Sequence, residues 1–294
     1  MTTTTEVQNV RRPVESRDPN SGEVWRQFEH ASPEAIVTAV KTAGEAQRAW
    51  GAIPLRERAA AVGRVRREIY ERRHAIASVL SRETGKPPFE AIFETLLVAD
   101  TAAWAAREGA RLLRPVRRRS RQIATLRKSI ETQWEPFGVV AVISPWNYPL
   151  LLAAGSLLPS LVAGNAVILK PSEMTPTCAE ALVEAVRATG IPEGLVQWLP
   201  GDGETGRALI EGGVNRVFFT GSEATGRKVA AACGERLIPC SLELGGSDPA
   251  LVLDDADIPT AAAGIAWGRF SNAGQTCIAP KRVFVVDSIY DRFV

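Results

Sequence analysis

The sequence predicts an α/β fold, a parallel β-sheet flanked by helices. Three observations carry this. Short apolar runs without polar alternation (GVVAVIS, NAVILK, LVQWLP and RVFFTG) recur from Gly138 to Gly221, the pattern of strands buried on both faces. Amphipathic stretches with helix-starting and helix-stopping residues separate them, and such alternation builds parallel sheets covered by helices. Glycine and polar residues stand at the end of each apolar run, where a parallel sheet binds its ligands.

The first third reads as helical. SPEAIVTAVKTAGEAQRAW puts Ile36, Val40 and Ala43 on one face, behind a Ser32 cap with Pro33 in the first turn. PLRERAAAVGRVRREIYERRHAIASVLSRETGK places Ala61, Val65, Ile69 and Ile76 together in one helix until Gly85 stops it. A third helix runs from about Pro88 to Arg111. After the GVVAVIS strand, PLLLAAGSLLPSLVAGN reads as helical despite Pro159, and NAVILK is the second strand. In TPTCAEALVEAVRATGIP, Thr175 is a cap candidate, Pro176 takes the first position, Gly190 ends the helix and Pro192 prevents resumption. LVQWLP, GETGRALIEGG, RVFFTG and SEATGRKVAAACG continue the alternation.

Composition bounds the function. Hydrophobic residues make up 45% and charged residues 23% of 294, ordinary for a globular chain. No apolar run approaches a bilayer's span, so no membrane is expected. The start, MTTTTEVQNVRRPVESRDP, lacks an apolar segment of the signal-peptide kind, which makes a cytoplasmic location the expectation. Cys178, Cys233, Cys240 and Cys277 show no metal-ligand spacing, and His30 and His74 are the two histidines, so no metal is expected. A basic tract spans Arg111 to Ser129, but the net charge is +2; it reads as a solvated connector or interface segment rather than a nucleic-acid site.

Candidate site residues cluster at strand ends. GDGETG, with Gly203 at its centre, matches a dinucleotide-binding glycine pattern, but a loop using glycines for turns fits it equally. In FTGSEATG, Phe219, Thr220, Gly221, Ser222 and Gly226 lead into a helix whose N-terminus suits phosphate. Ser222 reads equally as a helix cap. KPSE offers Lys170 and Glu173 for ribose or phosphate, against an exposed lysine and a first-turn acid. A carboxylate at Glu173 would repel an added ribose phosphate, favouring NAD over NADP. Glu243, in CSLELGGSDPALVL, lies in a β-rich run. A carboxyl in apolar company has the raised pKa that a base near neutral pH requires, with a structural glutamate as the alternative. Cys277, in FSNAGQTCIAPKRVFV, reads by itself as a buried thiol.

Taken together, Asn147 in SPWNYP, Lys170 in KPSE, FTGSEATG, Glu243 in LELGGSDP and Cys277 in NAGQTC resemble the aldehyde dehydrogenase superfamily, in the same order and at similar spacing, from about residue 18 to the end. The resemblance implies a Rossmann-like parallel sheet and oxidation of an aldehyde to a carboxylic acid with NAD, NADP being the alternative. It implies Cys277 as nucleophile, Asn147 and the Cys277 backbone N–H as oxyanion donors, and Glu243 as the base that activates water. Lys170 and Glu173 would hold the adenosine ribose, with Ser172 between them also cofactor-binding, and Gly221, Ser222 and the helix start would meet the pyrophosphate. Trp146, Phe219, Thr220, Gly203, Gly226 and Leu244 would complete the cofactor groove.

Ser247 and Asp248 in ELGGSDP depart from many members, a change expected to be tolerated. The resemblance further implies a dinucleotide-binding domain over 1–117 and 137–245, an oligomerisation hairpin over 118–136 and the start of a catalytic domain over 246–294. RVFVV reads as a strand and DSIYDRFV as a short helix capped by Asp287 or Ser288, with Ile289 facing Phe293. Family members continue beyond this point, so the chain is expected to be truncated after the catalytic cysteine, with an incomplete second α/β domain. The expected partner is a small-molecule aldehyde. Full-length members are expected to be homodimers or homotetramers, a state a fragment would have difficulty forming. A catalytically silent nucleotide-binding or scaffold fragment is the alternative, and a relative that passes the acyl group to CoA is disfavoured by Glu243.

Overall fold

A computed structural model describes residues 12–119 and 128–294. The start read for targeting signals (residues 1–11) and the middle of the basic tract (120–127) lie outside them. The chain opens with an antiparallel pair, β1 (Val14–Arg17) and β2 (Val24–Phe28), which the sequence reading missed. Four helices follow: α1 (Pro33–Ala52), α2 (Leu55–Glu71), α3 (Arg73–Thr84) and α4 (Pro88–Leu112). The Ser32 hydroxyl accepts from Ala35 N at 3.1 Å, as a cap should. Ile36 and Ala43 are buried and Val40 half-buried.

Ala61, Val65, Ile69 and Ile76 are all buried, but the expected single helix is two. Arg72 leaves helical geometry at φ −94°, ψ 4° and ends α2 as α3 begins. Gly85 then takes the left-handed φ of 71° and caps α3, a conformation that glycine adopts without side-chain penalty.

β3 (Val116–Arg119) and β4 (Ser129–Thr132) form an exposed antiparallel hairpin. Part of its basic charge is answered locally, Arg117 Nε lying 2.5 Å from Glu131.

The centre of the fold is a five-stranded parallel sheet in the order β7-β6-β5-β8-β9. Its elements alternate along the chain: β5 (Val139–Ile143), α5 (Leu151–Val162), β6 (Ala166–Lys170), α6 (Pro176–Arg187), β7 (Val196–Trp198), α7 (Gly203–Glu211), β8 (Arg216–Thr220), α8 (Glu223–Glu235) and β9 (Cys240–Glu243). Every residue of β5 and β6 is buried, as their continuous apolar runs require. The chain winds outward from β5 through β6 to β7, then returns to place β8 on the other side of β5. That reversal opens a crevice at the carboxyl ends of β5 and β8.

Thr175 does not cap α6. Its side chain makes no capping bond, and Glu83 of α3 accepts instead from Thr177 N (3.0 Å) and Cys178 N (2.8 Å).

Residues after β9 form a second α/β unit. β10 (Asp248–Val252) pairs in parallel with β11 (Pro280–Val285), and α9 (Ile258–Phe270) makes the crossover between them. The expectation of an incomplete second domain is corrected to this extent: strand, crossover helix and parallel partner are all in place. The tail read as one short helix is a 3-10 turn, Asp287–Ile289, running into Tyr290–Phe293, and neither Asp287 nor Ser288 caps it.

Candidate active site

The crevice at the strand ends is a cleft of about 800 Å³ lined by Trp146, Lys170, Ser172, Glu173, Gly203, Phe219, Thr220, Gly221 and Ser222. Thus nine of the expected cofactor residues meet on one wall or another. Gly226 and Leu244 do not line it; they touch behind it. A side chain at Gly226 would come within 2.6 Å of the Leu244 side chain, so this glycine lets α8 close on the end of β9.

Lys170 is buried and lies 3.7 Å from Glu173. Burial lowers its pKa, and the neighbouring Glu173 and Asp202 oppose that. Ser222 caps α8, accepting from Thr225 N at 3.2 Å. Its hydroxyl is therefore engaged by the helix, while its position leaves the N-terminal end of α8 facing the cleft. Asp202 caps α7 in the same way, accepting from Glu204 N and Thr205 N.

Sequence reasoning missed Arg207 and Lys228 on the cleft wall, and placed Ser144 at a strand end without giving it a role. Ser144 follows the last residue of β5, the position that marked it. The two cations are spaced on helix faces that only the packing aims at the cleft. The Ser144 hydroxyl is buried without a partner among the described residues, a polar atom awaiting a ligand group. Volume, two helix N-termini, a buried ammonium and this hydroxyl together fit a dinucleotide.

Cys277 lies past the cleft, exposed, on the turn between α9 and β11. The turn is strained: Asn272 (φ 58°), Ala273 (φ 54°) and Gly274 (φ 75°) are left-handed in succession, at a cost of about 1–3 kcal/mol for a non-glycine residue. Surrounding elements hold it. Asn272 N donates to Glu90 at 2.9 Å, and Asn272 Nδ2 to the Asn147 carbonyl at 3.0 Å. Asn147 Nδ2 donates to the Gln275 carbonyl at 2.7 Å, and the Tyr148 hydroxyl is 2.9 Å from that of Thr276. The SPWNYP loop is thereby fastened directly to the cysteine segment. Burial, with Glu94, Glu90 and Cys277 nearby, raises the Tyr148 pKa against the Thr276 hydrogen bond.

Glu243 ends β9 beside Thr220. It is exposed, so the apolar surroundings expected from its sequence context are not there. Lys281 ties its loop to the cysteine turn, donating to the Gly246 carbonyl at 2.6 Å and the Cys277 carbonyl at 3.1 Å. No group of three or more potential ligands for a metal occurs among the described residues.

The sequence model of the aldehyde dehydrogenase family matches residues 5–294. The chain belongs to the aldehyde dehydrogenase family. Against the expectation of a chain cut short directly after the catalytic cysteine, and against the label of fragment, stands a match that runs through Cys277 to residue 294. An NADP-dependent enzyme of Escherichia coli superposes on 96% of this aldehyde dehydrogenase family chain with a TM-score of 0.91 and 33% identity, this chain covering 58% of it. The superposition takes in the second α/β unit as well as the first, against the expectation that the second is incomplete.

Among curated relatives, the 4,4'-diapolycopene aldehyde oxidase of Methylomonas is 36% identical over 94% of this chain and 52% of its own length. The succinate-semialdehyde dehydrogenase [NADP(+)] of Deinococcus radiodurans is 37% identical over 96% of this chain and 58% of its own. The NADP-dependent glyceraldehyde-3-phosphate dehydrogenase of Bacillus halodurans, solved in complex with NADP, has a TM-score of 0.91 and 36% identity over 96% of this chain and 60% of its own. The chain thus spans little more than half the length of these relatives. Among the described residues, no helix is long and apolar enough to cross a membrane.

Proposed function

We propose that this chain is an NAD(P)-dependent aldehyde dehydrogenase that oxidises an aldehyde to a carboxylic acid through Cys277. The cofactor is NAD(P), and it fits the cleft between β5 and β8. The observation that carries the reading is the 2.7 Å bond from Asn147 Nδ2 to the Gln275 carbonyl. A carboxamide nitrogen carries two protons; one is engaged here, which fixes the amide plane beside the cysteine and leaves the second for an oxyanion.

In this reading the Cys277 thiolate adds to the aldehyde carbon, forming a thiohemiacetal, and Asn147 with the Cys277 backbone N–H holds the oxyanion. The cofactor, when bound, supplies acceptance of a hydride from that carbon. Loss of the hydride leaves a thioester on Cys277. Glu243 removes a proton from water, and the water attacks the thioester, releasing the acid and restoring the thiol. Glu243's exposure at the end of β9 supports access of that water. Lys170, Ser172 and Glu173 hold the adenosine ribose, and the start of α8 receives the pyrophosphate. The division into 1–117 with 137–245, 118–136 and 246–294 belongs to the same proposal, with the exposed β3–β4 hairpin as the contact of a homodimer or homotetramer.

The test is the appearance of reduced nicotinamide absorbance with a panel of aldehydes and either NAD or NADP. Turnover is expected with the unsubstituted chain and is expected to vanish in Cys277→Ala. Equal activity in Cys277→Ala would sink the thioester route, and no reduction with any aldehyde would sink the proposal.

A further inference from the structure

We infer that Lys86 is a positioning residue for this site, its buried ammonium holding the Asn147 carbonyl so that the Asn147 amide keeps its aim at the cysteine turn; this rests on the dehydrogenase reading above. Lys86 belongs to none of the motifs that located the site. It follows the left-handed Gly85, and although charged it is 1% exposed. Its ammonium pairs with Glu94 of α4, also 1% exposed, and donates to the Asn147 carbonyl at 2.9 Å. It also lies 4.6 Å from the centre of the Tyr148 ring, within cation–π range.

Glu94 completes the arrangement from the other side. Its Oε1 accepts from Leu150 N at 3.0 Å and Leu151 N at 3.1 Å, at the start of α5, a helix with no side-chain cap of its own. One buried ion pair therefore grips both ends of the segment Asn147–Leu151. The Asn147 carbonyl receives a second donor, Asn272 Nδ2, from the strained turn before Cys277. The peptide group is thus fixed between α4's end of the fold and the nucleophile's own turn. A buried ion pair adds little net stability over a well-packed apolar replacement. What this one supplies is direction, because the Asn147 side chain can keep its bond to Gln275 only while its backbone is held.

The test uses Lys86→Met with Glu94→Gln, which removes both charges while the amide oxygen introduced on α4 still accepts from Leu150 and Leu151. We expect kcat to fall on the order of tenfold to a hundredfold, as misplacement of a catalytic group does, with KM for NAD(P) unchanged. In the Asn147→Ala background the same two substitutions are expected to cost under about threefold, since residues acting through one group are not additive. Equal losses in both backgrounds, or no loss of kcat, would overturn the inference. Hydrogen exchange followed by mass spectrometry reads the same point without turnover. Residues 144–151 are expected to exchange faster in the double variant while β6 and β8 are unchanged, and unchanged exchange at 144–151 would also overturn it. If the unsubstituted chain reduces no cofactor, the dehydrogenase reading fails and exchange alone decides the role of Lys86. Should the double variant lose its near-ultraviolet dichroism, the same criteria apply to Glu94→Gln alone, which frees the ammonium from its carboxylate.

Discussion

Cys178 and Cys233 sit in the core, where loss of water pushes both thiols up. Cys178 rises well above the ordinary range, with Glu83 adding to the effect, and Cys233 rises to about 11, with Cys240 contributing. Neither supplies a thiolate near neutral pH, whereas Cys277 is exposed. Lys170 shows how burial tunes a proposed cofactor contact. Its lowered pKa means that the folded protein holds the ammonium at a penalty that the unfolded chain does not feel. That penalty is full below the lowered value and disappears as pH rises towards the ordinary 10.5, so this group's effect on stability improves with pH across that window. Cofactor affinity should move the opposite way, falling across the same window as the charge is lost, and more steeply for NADP than for NAD. Titrating cofactor binding against pH checks this; a Lys170→Met variant should give a flat profile, and the same slope in the variant would rule Lys170 out. Lys170 was offered as a candidate by its own strand-end pattern, and Cys277 only by its company with Asn147 and Glu243 in family order. Lys86 was not, because its partner Asn147 is separated from it by 61 positions and nothing local marks the pairing.

Among the elements, α6 depends on a distant carboxylate rather than on its own first residue. Thr175 stands where a cap is expected, but Glu83 accepts the free N–H groups of Thr177 and Cys178 and also the Ser16 hydroxyl. Replacing Glu83 by Ala would leave those buried donors unpaired, and the expected loss is about 2–4 kcal/mol. Glu83→Gln keeps one acceptor and should lose about 1 kcal/mol. Urea unfolding midpoints measure both, and an unshifted midpoint for Glu83→Ala would show that Thr175 takes over the cap. Four strands of the central sheet were readable, since β5, β6, β7 and β8 coincide with continuous apolar runs, whereas β1 and β2 were not. The break at Arg72 was not, because the apolar spacing of α2 continues into α3 and the interruption lies in the backbone.

For the whole molecule, the order of strands matters more than their composition. Placing β8 against β5 rather than beyond β7 opens the cleft and brings KPSE, FTGSEATG and SPWNYP to one end of the sheet. The second α/β unit shows a different property. α9 has no buried residue, Trp267 is 77% and Phe270 70% exposed, and Leu251 stands opposite Phe284 on exposed strands. An apolar surface of this kind drives association. Concentration-dependent sedimentation and strong binding of a hydrophobic dye are therefore expected. Trp267→Glu with Phe270→Glu should reduce both, and dye binding equal to that of the unsubstituted chain would refute this surface as its source.

By itself the sequence determined four strands of the central sheet and most of the helices, and it pointed to a candidate site: a cysteine, a carboxamide, a carboxylate and a glycine-rich helix entry in family order. Those features are local, so propensity, apolar period and motif express them directly. The tertiary structure alone decided that Glu243 is exposed, that Glu83 rather than Thr175 caps α6, and that Lys86 and Glu94 brace Asn147. Each of these depends on groups far apart in the chain meeting where water is excluded or admitted, and no local pattern encodes which of them meet.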